Sequence, residues 1–148
     1  MYTIENVSQD TQFARDVFEI DRECFGVNCW SLELIKYDIA TAGNIYIICK
    51  HQKEVVGFVA VSTVLDEAEL NRIALKEKFR SLGLGTKLLN SLIKLLKQKN
   101  FKRLMLEVRS SNISAIELYK KAGFERDYIR KEYYRDPVDD AILMSLKL

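Results

Sequence analysis

The sequence has little of the chemistry that several common classes of protein require. It contains one histidine, His51, and three cysteines without CxxC spacing (Cys24, Cys29 and Cys49). A histidine-rich metal site is therefore excluded, and we expect no metal. An odd number of cysteines favours free thiols in a reducing compartment over a disulfide framework. Because His51 lies in a polar turn at residues 50–53, we expect no chemical role for it.

Long apolar runs, linkers and repeats are also missing. No stretch approaches the ~18 apolar residues that a membrane-spanning helix needs. The first residues lack the basic and apolar regions of a signal peptide, so we expect a cytoplasmic protein without a membrane partner. With one proline and no low-complexity tract in 148 residues, the chain is predicted to form a single domain, 1–148.

The sequence has almost no net charge, +2 at pH 7, but its charges are unevenly distributed. Residues 1–71 carry 12 acidic and 5 basic side chains, whereas residues 72–103 carry 1 acidic and 10 basic ones. A solvated, lysine-rich helix face explains much of this block, and a polyanionic cofactor is the sharper alternative. Nucleic acid is not expected, because the basic excess is small and lacks interleaved aromatic residues.

A glycine-containing loop lies inside the basic block. A predicted strand at 70–75 is followed by RSLGLG at 80–85 and then by an amphipathic helix that ends near residue 99. Two glycines one residue apart allow close backbone approach to a ligand, and the first N–H groups of a helix attract phosphate. Neither a P-loop nor a dinucleotide motif is present, since Leu88 occupies the third glycine position. Spacing alone leaves both phosphate binding and a plain strand-to-helix turn open.

The remaining patterns predict a mixed α/β (α+β) fold. The predicted order is β-α-α-β-β-β-α-β-α-β-β, with helices at 9–24, 32–40 and 113–122 besides the one after the glycine loop. Strands are predicted at 1–7, 45–50, 55–64, 70–75, 101–109, 124–134 and 141–148, with an acidic turn at 65–69. This order indicates a sheet of about seven strands flanked by about four helices.

Two side chains are candidates for proton transfer. Glu107 lies in the middle of an alternating strand and is either a solvent-facing residue or a general base. Tyr119 lies in the following helix and is either a packed aromatic residue or a general acid, since a phenol can protonate a leaving thiolate. The residues alone do not decide between these roles.

The loop pattern (Gln/Arg)-x-x-Gly-x-(Gly/Ala), filled by Arg80, Gly83 and Gly85, resembles the acetyl-coenzyme A signature of the GNAT-family N-acetyltransferases. The order of elements resembles the GNAT fold over the whole chain. The later part is similar to the RimI-type enzymes of that family, the bacterial ribosomal-protein N-terminal-alanine acetyltransferases. The segments that carry this similarity are VLDEAEL at 64–70, LEVR at 106–109, Ser111-Asn112, AIELY at 115–119, Gly123-Phe124, and Tyr133-Tyr134 before Asp140-Ala141.

The resemblance implies residue roles and a co-substrate, acetyl-CoA. It assigns Glu107 as the base and Tyr119 as the acid, and places an oxyanion at backbone N–H groups near Leu75. The implied cofactor-binding residues are Ile73, Ala74, Leu75, Arg80, Ser81, Leu82, Gly83, Leu84, Gly85, Thr86 and Asn112. The implied substrate-binding residues are Trp30, Tyr133 and Tyr134. Trp30-Ser31 resembles the Pro-Trp-Ser of these enzymes, with Cys29 in place of the proline.

The implied function is acetylation of the N-terminal α-amine of a protein, an N-terminal alanine of a ribosomal protein. The alternatives are a GNAT enzyme that acetylates a small-molecule amine or polyamine, and a non-catalytic coenzyme A-binding sensor. We also expect an acidic entrance that attracts a basic peptide. Its predicted residues are Asp66, Glu67, Glu69, Asp136, Asp139 and Asp140, beside Tyr133 and Tyr134.

Overall fold

A computed structural model describes residues 1–148 and contains seven strands and four α-helices. The strands are β1 (Tyr2–Asn6), β2 (Ile45–His51), β3 (Glu54–Val64), β4 (Glu67–Leu75), β5 (Arg103–Arg109), β6 (Glu125–Arg135) and β7 (Val138–Lys147). The helices are α1 (Ala14–Phe25), α2 (Leu32–Ala40), α3 (Leu84–Gln98) and α4 (Ile113–Lys121). The predicted order of elements is confirmed, and the strands form one mixed sheet in the order β1-β2-β3-β4-β5-β7-β6.

The two faces of the sheet are covered by different helices. One core packs α3 and α4 against the sheet and includes the fully buried stripe Leu88, Leu89, Leu92 and Leu96. The other packs α1 and α2 on the opposite face, around residues such as Ile20 and Ile35. The leucine stripe predicted for the helix after the glycine loop is therefore a core stripe, which anchors the start of α3 beside the sheet.

Strand β4 begins earlier than predicted. The sequence indicates an acidic turn at 65–69, but Val64 already pairs with Glu67, so the turn is shorter and Glu67 lies in the strand. Ala68 and Leu70 are buried while their acidic neighbours are partly exposed. Glu67 and Glu69 thus lie on the more exposed face of an alternating strand. Their charge made this part of the sequence look like a turn.

Strands β4 and β5 create an opening in the sheet. They are parallel neighbours but pair only from Glu67 with Arg103 to Leu70 with Leu106. Beyond that point β4 and β5 no longer pair with each other, although β4 continues beside β3 and β5 beside β7. The register of β3 against β4 also shifts between Ala60 and Val61. Open α/β sheets bind ligands at the carboxyl ends of neighbouring parallel strands, so a ligand site is expected in this gap.

Two further findings concern features raised by the sequence. All three cysteines are free thiols, as expected. None of the helices combines the length and the apolar character required to span a bilayer.

Candidate functional site

Two adjoining clefts occupy the gap between β4 and β5. The first, here called the loop cleft, has a volume of about 540 Å³ and lies between the end of β4, the glycine loop and α4. The second, the tyrosine cleft, has a volume of about 740 Å³ and is lined by β4, β5 and the end of β6. Phe25, Ile73, Asn112 and Ala115 line both, so the two clefts form one continuous depression.

The glycine loop presents free backbone donors to the loop cleft. None of the N–H groups from Ser81 to Thr86 has an acceptor in the protein, and the first bonded one is that of Lys87, which donates to the Gly83 carbonyl at 3.2 Å. Ser81 and Gly83 have positive φ angles of 63° and 79°, a backbone arrangement that turns successive N–H groups toward one point. A Cβ on Gly83 would meet no atom within 4 Å, so the space above the loop is open. These features suit a phosphate or pyrophosphate.

The predicted cofactor residues take different positions around this loop. Ile73, Ala74, Leu75, Arg80, Ser81, Gly83, Gly85, Thr86 and Asn112 line the loop cleft. Leu82 and Leu84 do not; Leu82 is exposed and Leu84 is buried in the core. These two residues offer only their backbone N–H groups to a ligand.

Arg80 does not extend into the cleft as a free cation. Its Nε donates to the Leu75 carbonyl at 3.1 Å, and a terminal nitrogen donates to Cys24 Sγ at 3.2 Å. Burial raises the pKa of the Cys24 thiol, which donates to the same Leu75 carbonyl at 3.2 Å. Arg80 is therefore held against the wall of the cleft by neutral partners, and its uncompensated positive charge stays at that wall.

The main chain of β4 faces the cleft at alternate residues. The N–H of Lys76 bonds to Val56 of β3 at 2.8 Å, whereas the Leu75 carbonyl turns away from β3 to meet Cys24 and Arg80. Since bonding directions alternate along an antiparallel pair, the peptide groups of Leu75 face the gap. This is the position at which the resemblance places the oxyanion donor.

Glu107 is an unpaired carboxylate on the wall of the tyrosine cleft. It lies on the exposed face of β5, between the buried Leu106 and Val108, and pairs in register with Leu143. Its carboxylate accepts no hydrogen bond from the protein and belongs to no ion pair. A carboxylate in this state is free to take a proton from a bound amine.

Tyr119 supplies a protonated hydroxyl to the same cleft. The residue is 5% exposed and packs against Phe124, with ring centroids 5.6 Å apart. No fully enclosed side-chain oxygen or nitrogen lacks a partner, so the unbonded Tyr119 hydroxyl opens to the cleft that the residue lines. Burial raises the pKa of Tyr119 well above its usual value of 10, and the hydroxyl therefore keeps its proton at neutral pH.

A bulge in β6 brings two further tyrosines to the cleft. The register jumps from Arg130 opposite Ala141 to Tyr134 opposite Asp139. The Asp140 carboxylate holds the bulge by accepting the Glu132 N–H at 2.9 Å. Tyr133 and Tyr134 then meet edge to face, with ring centroids 5.2 Å apart, and both line the cleft.

Tyr134 lies close enough to Glu107 for the carboxylate charge to affect its pKa. Burial and then the nearby Glu107 charge raise the pKa of Tyr134, while Arg109 opposes them. The Arg109 guanidinium lies 4.2 Å from the centre of the Tyr134 ring and donates to the Pro137 carbonyl at 2.9 Å. Arg109 thus fixes the ring and the hairpin turn beside the unpaired carboxylate.

Asp139 connects the two loops of the site, a role that the sequence does not reveal. Its carboxylate accepts the hydroxyl protons of Ser110 and Ser111, each at 2.6 Å, and the N–H of Asp140 at 2.8 Å. The serine hydrogen bonds lower the pKa of Asp139 to about 2. The β5–α4 turn, which carries Asn112, is thereby fastened to the β6–β7 hairpin. The Ser110-Ser111 pair directly after a strand is the only local signal of such an acceptor.

Asn112 has a second duty besides lining both clefts. Its side-chain oxygen accepts the Ala115 N–H at 3.2 Å and caps the N-terminus of α4. This use of the oxygen leaves the amide NH₂ as the group available to a ligand.

Trp30 does not line either cleft, contrary to its expected place at the substrate entrance. Its ring stacks on Arg72 instead, 4.4 Å from the guanidinium carbon, and Phe25 and Asn28 occupy the cleft wall nearby. Neither neighbour is singled out by the sequence, because the contact depends on residues far apart in the chain.

The predicted acidic entrance is wrong in its larger part. Glu67 lies at the opposite end of β4, where its carboxylate is 3.9 Å from Arg103. At about 3.3 Å per strand residue, Glu67 is roughly 20 Å from Ile73 in the cleft. Asp139 and Asp140 are held by hydrogen bonds within the site, and only Asp136 of the predicted set lines the tyrosine cleft.

Comparisons with known proteins agree with this architecture. The profile of the Acetyltransferase (GNAT) family matches residues 14–124. The chain is 38% identical over 137 residues to the ribosomal protein bS18-alanine N-acetyltransferase of Haemophilus influenzae, covering 89% of this chain and 90% of that protein.

Two solved structures share the fold over nearly the whole chain. The crystal structure of the ribosomal-protein-S18-alanine N-acetyltransferase from Escherichia coli has a TM-score of 0.90 at 32% identity and covers 99% of this chain and 94% of its own. A GNAT family acetyltransferase from Elizabethkingia anophelis, solved with acetyl-CoA bound, has a TM-score of 0.78 at 25% identity, covering 99% and 98%. This chain belongs to the acetyltransferase (GNAT) family.

Proposed function

We propose that this enzyme transfers an acetyl group from acetyl-CoA to the N-terminal α-amine of a protein, with the N-terminal alanine of a ribosomal protein as its substrate. The observation that carries the proposal is the junction of the two clefts. A loop with free N–H donors adjoins a cleft that holds an unpaired carboxylate and a protonated phenol. The names of the Haemophilus influenzae and Escherichia coli relatives support the choice of substrate.

The loop cleft suits acetyl-CoA. The N–H groups of residues 81–86 would hold its pyrophosphate at the positive end of the α3 dipole. The peptide groups of Leu75 and the amide of Asn112 would line the path toward the tyrosine cleft. When bound there, acetyl-CoA supplies the thioester carbonyl that the amine attacks.

Glu107 would act as the general base. An N-terminal ammonium has a pKa near 8, so only about a tenth of the amine is neutral at pH 7 and a proton must be removed. The Glu107 carboxylate has no competing donor in the protein and lines the cleft in which the amine would lie. It accepts this proton directly or through one water.

Tyr119 would act as the general acid. A phenol is protonated at neutral pH, and burial, which raises the pKa of Tyr119, keeps it so; Tyr119 therefore has a proton to give to the thiolate as that group leaves. A backbone N–H near Leu75 would stabilise the negative charge that develops on the carbonyl oxygen. No other group is needed for the transfer.

The tyrosine cleft is suited to the end of a polypeptide. It has a volume of about 740 Å³ and contains both aromatic rings and charged groups. Tyr133 and Tyr134 offer apolar faces for the first side chains, while the unpaired Glu107 carboxylate places a negative charge next to the half-buried Tyr134. A substrate on the ribosome also agrees with the cytoplasmic location expected from the sequence.

Initial rates with three candidate acceptors test the proposal. The acceptors are a peptide led by Ala-Arg-Tyr, the same peptide with its N-terminus blocked, and spermidine, with release of free thiol as the readout. We expect turnover of the unblocked peptide alone. Faster turnover of spermidine would support a small-amine enzyme instead, and no thiol release with any amine would favour the coenzyme A sensor.

A further inference from the structure

Arg72 has a contact pattern that the proposed chemistry does not use. It lies on β4 where this strand separates from β5, and it lines the tyrosine cleft. Its guanidinium carbon is 4.0 Å from the centre of the Phe25 ring and 4.4 Å from that of the Trp30 ring. One terminal nitrogen donates to Asp21 Oδ1 and the other to the Asn28 carbonyl, both at 2.8 Å.

Asp21 completes the cluster from beneath. It is fully buried on α1, and its second oxygen accepts the Trp30 N–H at 2.7 Å. The ion pair therefore holds the segment 26–30 at two points, the Asn28 carbonyl and the Trp30 N–H. A buried carboxylate with all of these partners needs the arginine, because a lost partner would leave its charge uncompensated.

Besides these two hydrogen bonds, the segment 26–30 is anchored by Trp30, which packs with Phe25 against the core around α1 and α2. It contains a short 3₁₀ turn at Gly26–Asn28, and Val27 is 98% exposed. Phe25 and Asn28 nevertheless form part of the tyrosine cleft wall. The shape of that wall thus depends on Arg72 together with the packing of Phe25 and Trp30 on this core.

We propose that Arg72 is a positioning residue that fixes the segment Phe25–Trp30 as the acceptor-side wall of the tyrosine cleft. The proposal rests on the proposed function insofar as the acceptor is a protein N-terminus. Arginine suits this role because one planar group stacks between two rings and donates two separate hydrogen bonds. Lysine keeps the charge opposite Asp21 but cannot stack in the same way or reach both acceptors as a fork.

The single tryptophan of the chain makes the proposal measurable, since emission reports Trp30 alone. In Arg72→Lys we expect emission shifted to longer wavelength and stronger quenching by acrylamide, because the ring loses its stacking partner. We also expect the KM for the acceptor peptide to rise about tenfold or more, because the loss of one charge-assisted hydrogen bond within the protein lowers the fraction of molecules whose segment is in the binding conformation. The kcat and the KM for acetyl-CoA should be nearly unchanged. Arg126→Lys is the matched control; Arg126 is an exposed arginine on β6 without an ion pair and should match the parent.

Two variants of Trp30, Trp30→Ala and Trp30→Phe, provide a second test of the proposal if Arg72→Lys fails to fold. Trp30→Ala removes one face of the stack, whereas Trp30→Phe retains an aromatic face, so the acceptor KM should rise more for Ala than for Phe. Parental emission and parental acceptor KM in Arg72→Lys would overturn the proposal. A lower kcat at unchanged acceptor KM would also overturn it, because Arg72 would then act in the chemistry.

Failure of the proposed function gives a different pattern. If the parent acetylates spermidine but no peptide, the N-terminal substrate is wrong, yet the Trp30 emission shift in Arg72→Lys still reports the segment. The KM of the amine that is turned over then replaces that of the peptide in the same comparison.

Discussion

Replacing Gly83 by alanine separates ligand binding from folding at the glycine loop. Gly83 has φ 79° and ψ 9°, a left-handed conformation that costs an L-residue about 1–2 kcal/mol. A Cβ at this position meets no protein atom within 4 Å, so no steric cost within the protein is added. We therefore expect Gly83→Ala to fold, with the free energy of unfolding lowered by about 1–2 kcal/mol.

The effect on the ligand should be larger than the effect on folding. The new methyl group would stand among the free N–H donors of residues 81–86, where the pyrophosphate is proposed to lie. Displacing one or two charge-assisted hydrogen bonds, each worth about 1.5–3 kcal/mol, should raise the Kd for acetyl-CoA roughly 10- to 100-fold or more. Isothermal titration calorimetry measures this Kd, and urea unfolding measures stability in parallel.

Gly123→Ala is the control for the backbone term. Gly123 follows α4 with φ 102°, and its added Cβ would lie 3.3 Å from Leu146 Cδ1, outside both clefts. It should lose stability at least as much as Gly83→Ala but bind acetyl-CoA like the parent. A folded Gly83→Ala protein with a Kd within about threefold of the parent would refute the placement of the pyrophosphate, since a lost charge-assisted bond exceeds that ratio.

Three other expectations follow from the site and the core. Glu107→Gln and Tyr119→Phe should each slow turnover ~100- to 10,000-fold with nearly unchanged Kd for acetyl-CoA, and rates within about threefold of the parent would return both residues to surface and packing roles. Because the pKa of Asp139 is lowered from 3.8 to about 2, its contribution to stability is present above pH 4 and lost as pH falls toward 2. Asp139→Asn should therefore lower the urea midpoint at pH 7 but not at pH 2, and an equal loss at both values would contradict the assignment. Leu92→Ala should cost about 2–5 kcal/mol in the free energy of unfolding, since Leu92 is fully buried; a loss below about 1 kcal/mol would mean that the α3 stripe is not core.

Local patterns predicted the elements around the loop cleft. The leucines of α3 repeat with helical spacing, and the glycines mark the turn before the helix, so both are visible within 30 residues of sequence. Glu107 is similarly visible, because alternation along β5 places it opposite the buried Leu106 and Val108. The order of strands and helices follows from the same local periods.

Contacts between distant segments were not predictable in this way. Trp30 stacks on Arg72, which lies on strand β4 and is far away in the sequence. Arg80 is held by Leu75 and Cys24 at the cleft wall, and Asp139 bonds to the serines of another loop. Each of these outcomes depends on a tertiary partner that has no fixed spacing in the sequence. The acidic entrance failed for the same reason, since the direction of β4 takes Glu67 away from the cleft.

Site-resolved mass spectrometry of one acetylated peptide tests directly whether the enzyme acetylates an N-terminal α-amine. A peptide that begins Ala-Arg-Tyr and carries an internal lysine offers the enzyme an α-amine and an ε-amine in the same molecule. We expect one acetyl group, located by fragmentation on the alanine α-amine, and its loss when Glu107 is changed to Gln. Acetylation of the lysine side chain in place of the alanine would contradict the proposal that the enzyme acetylates an N-terminal α-amine.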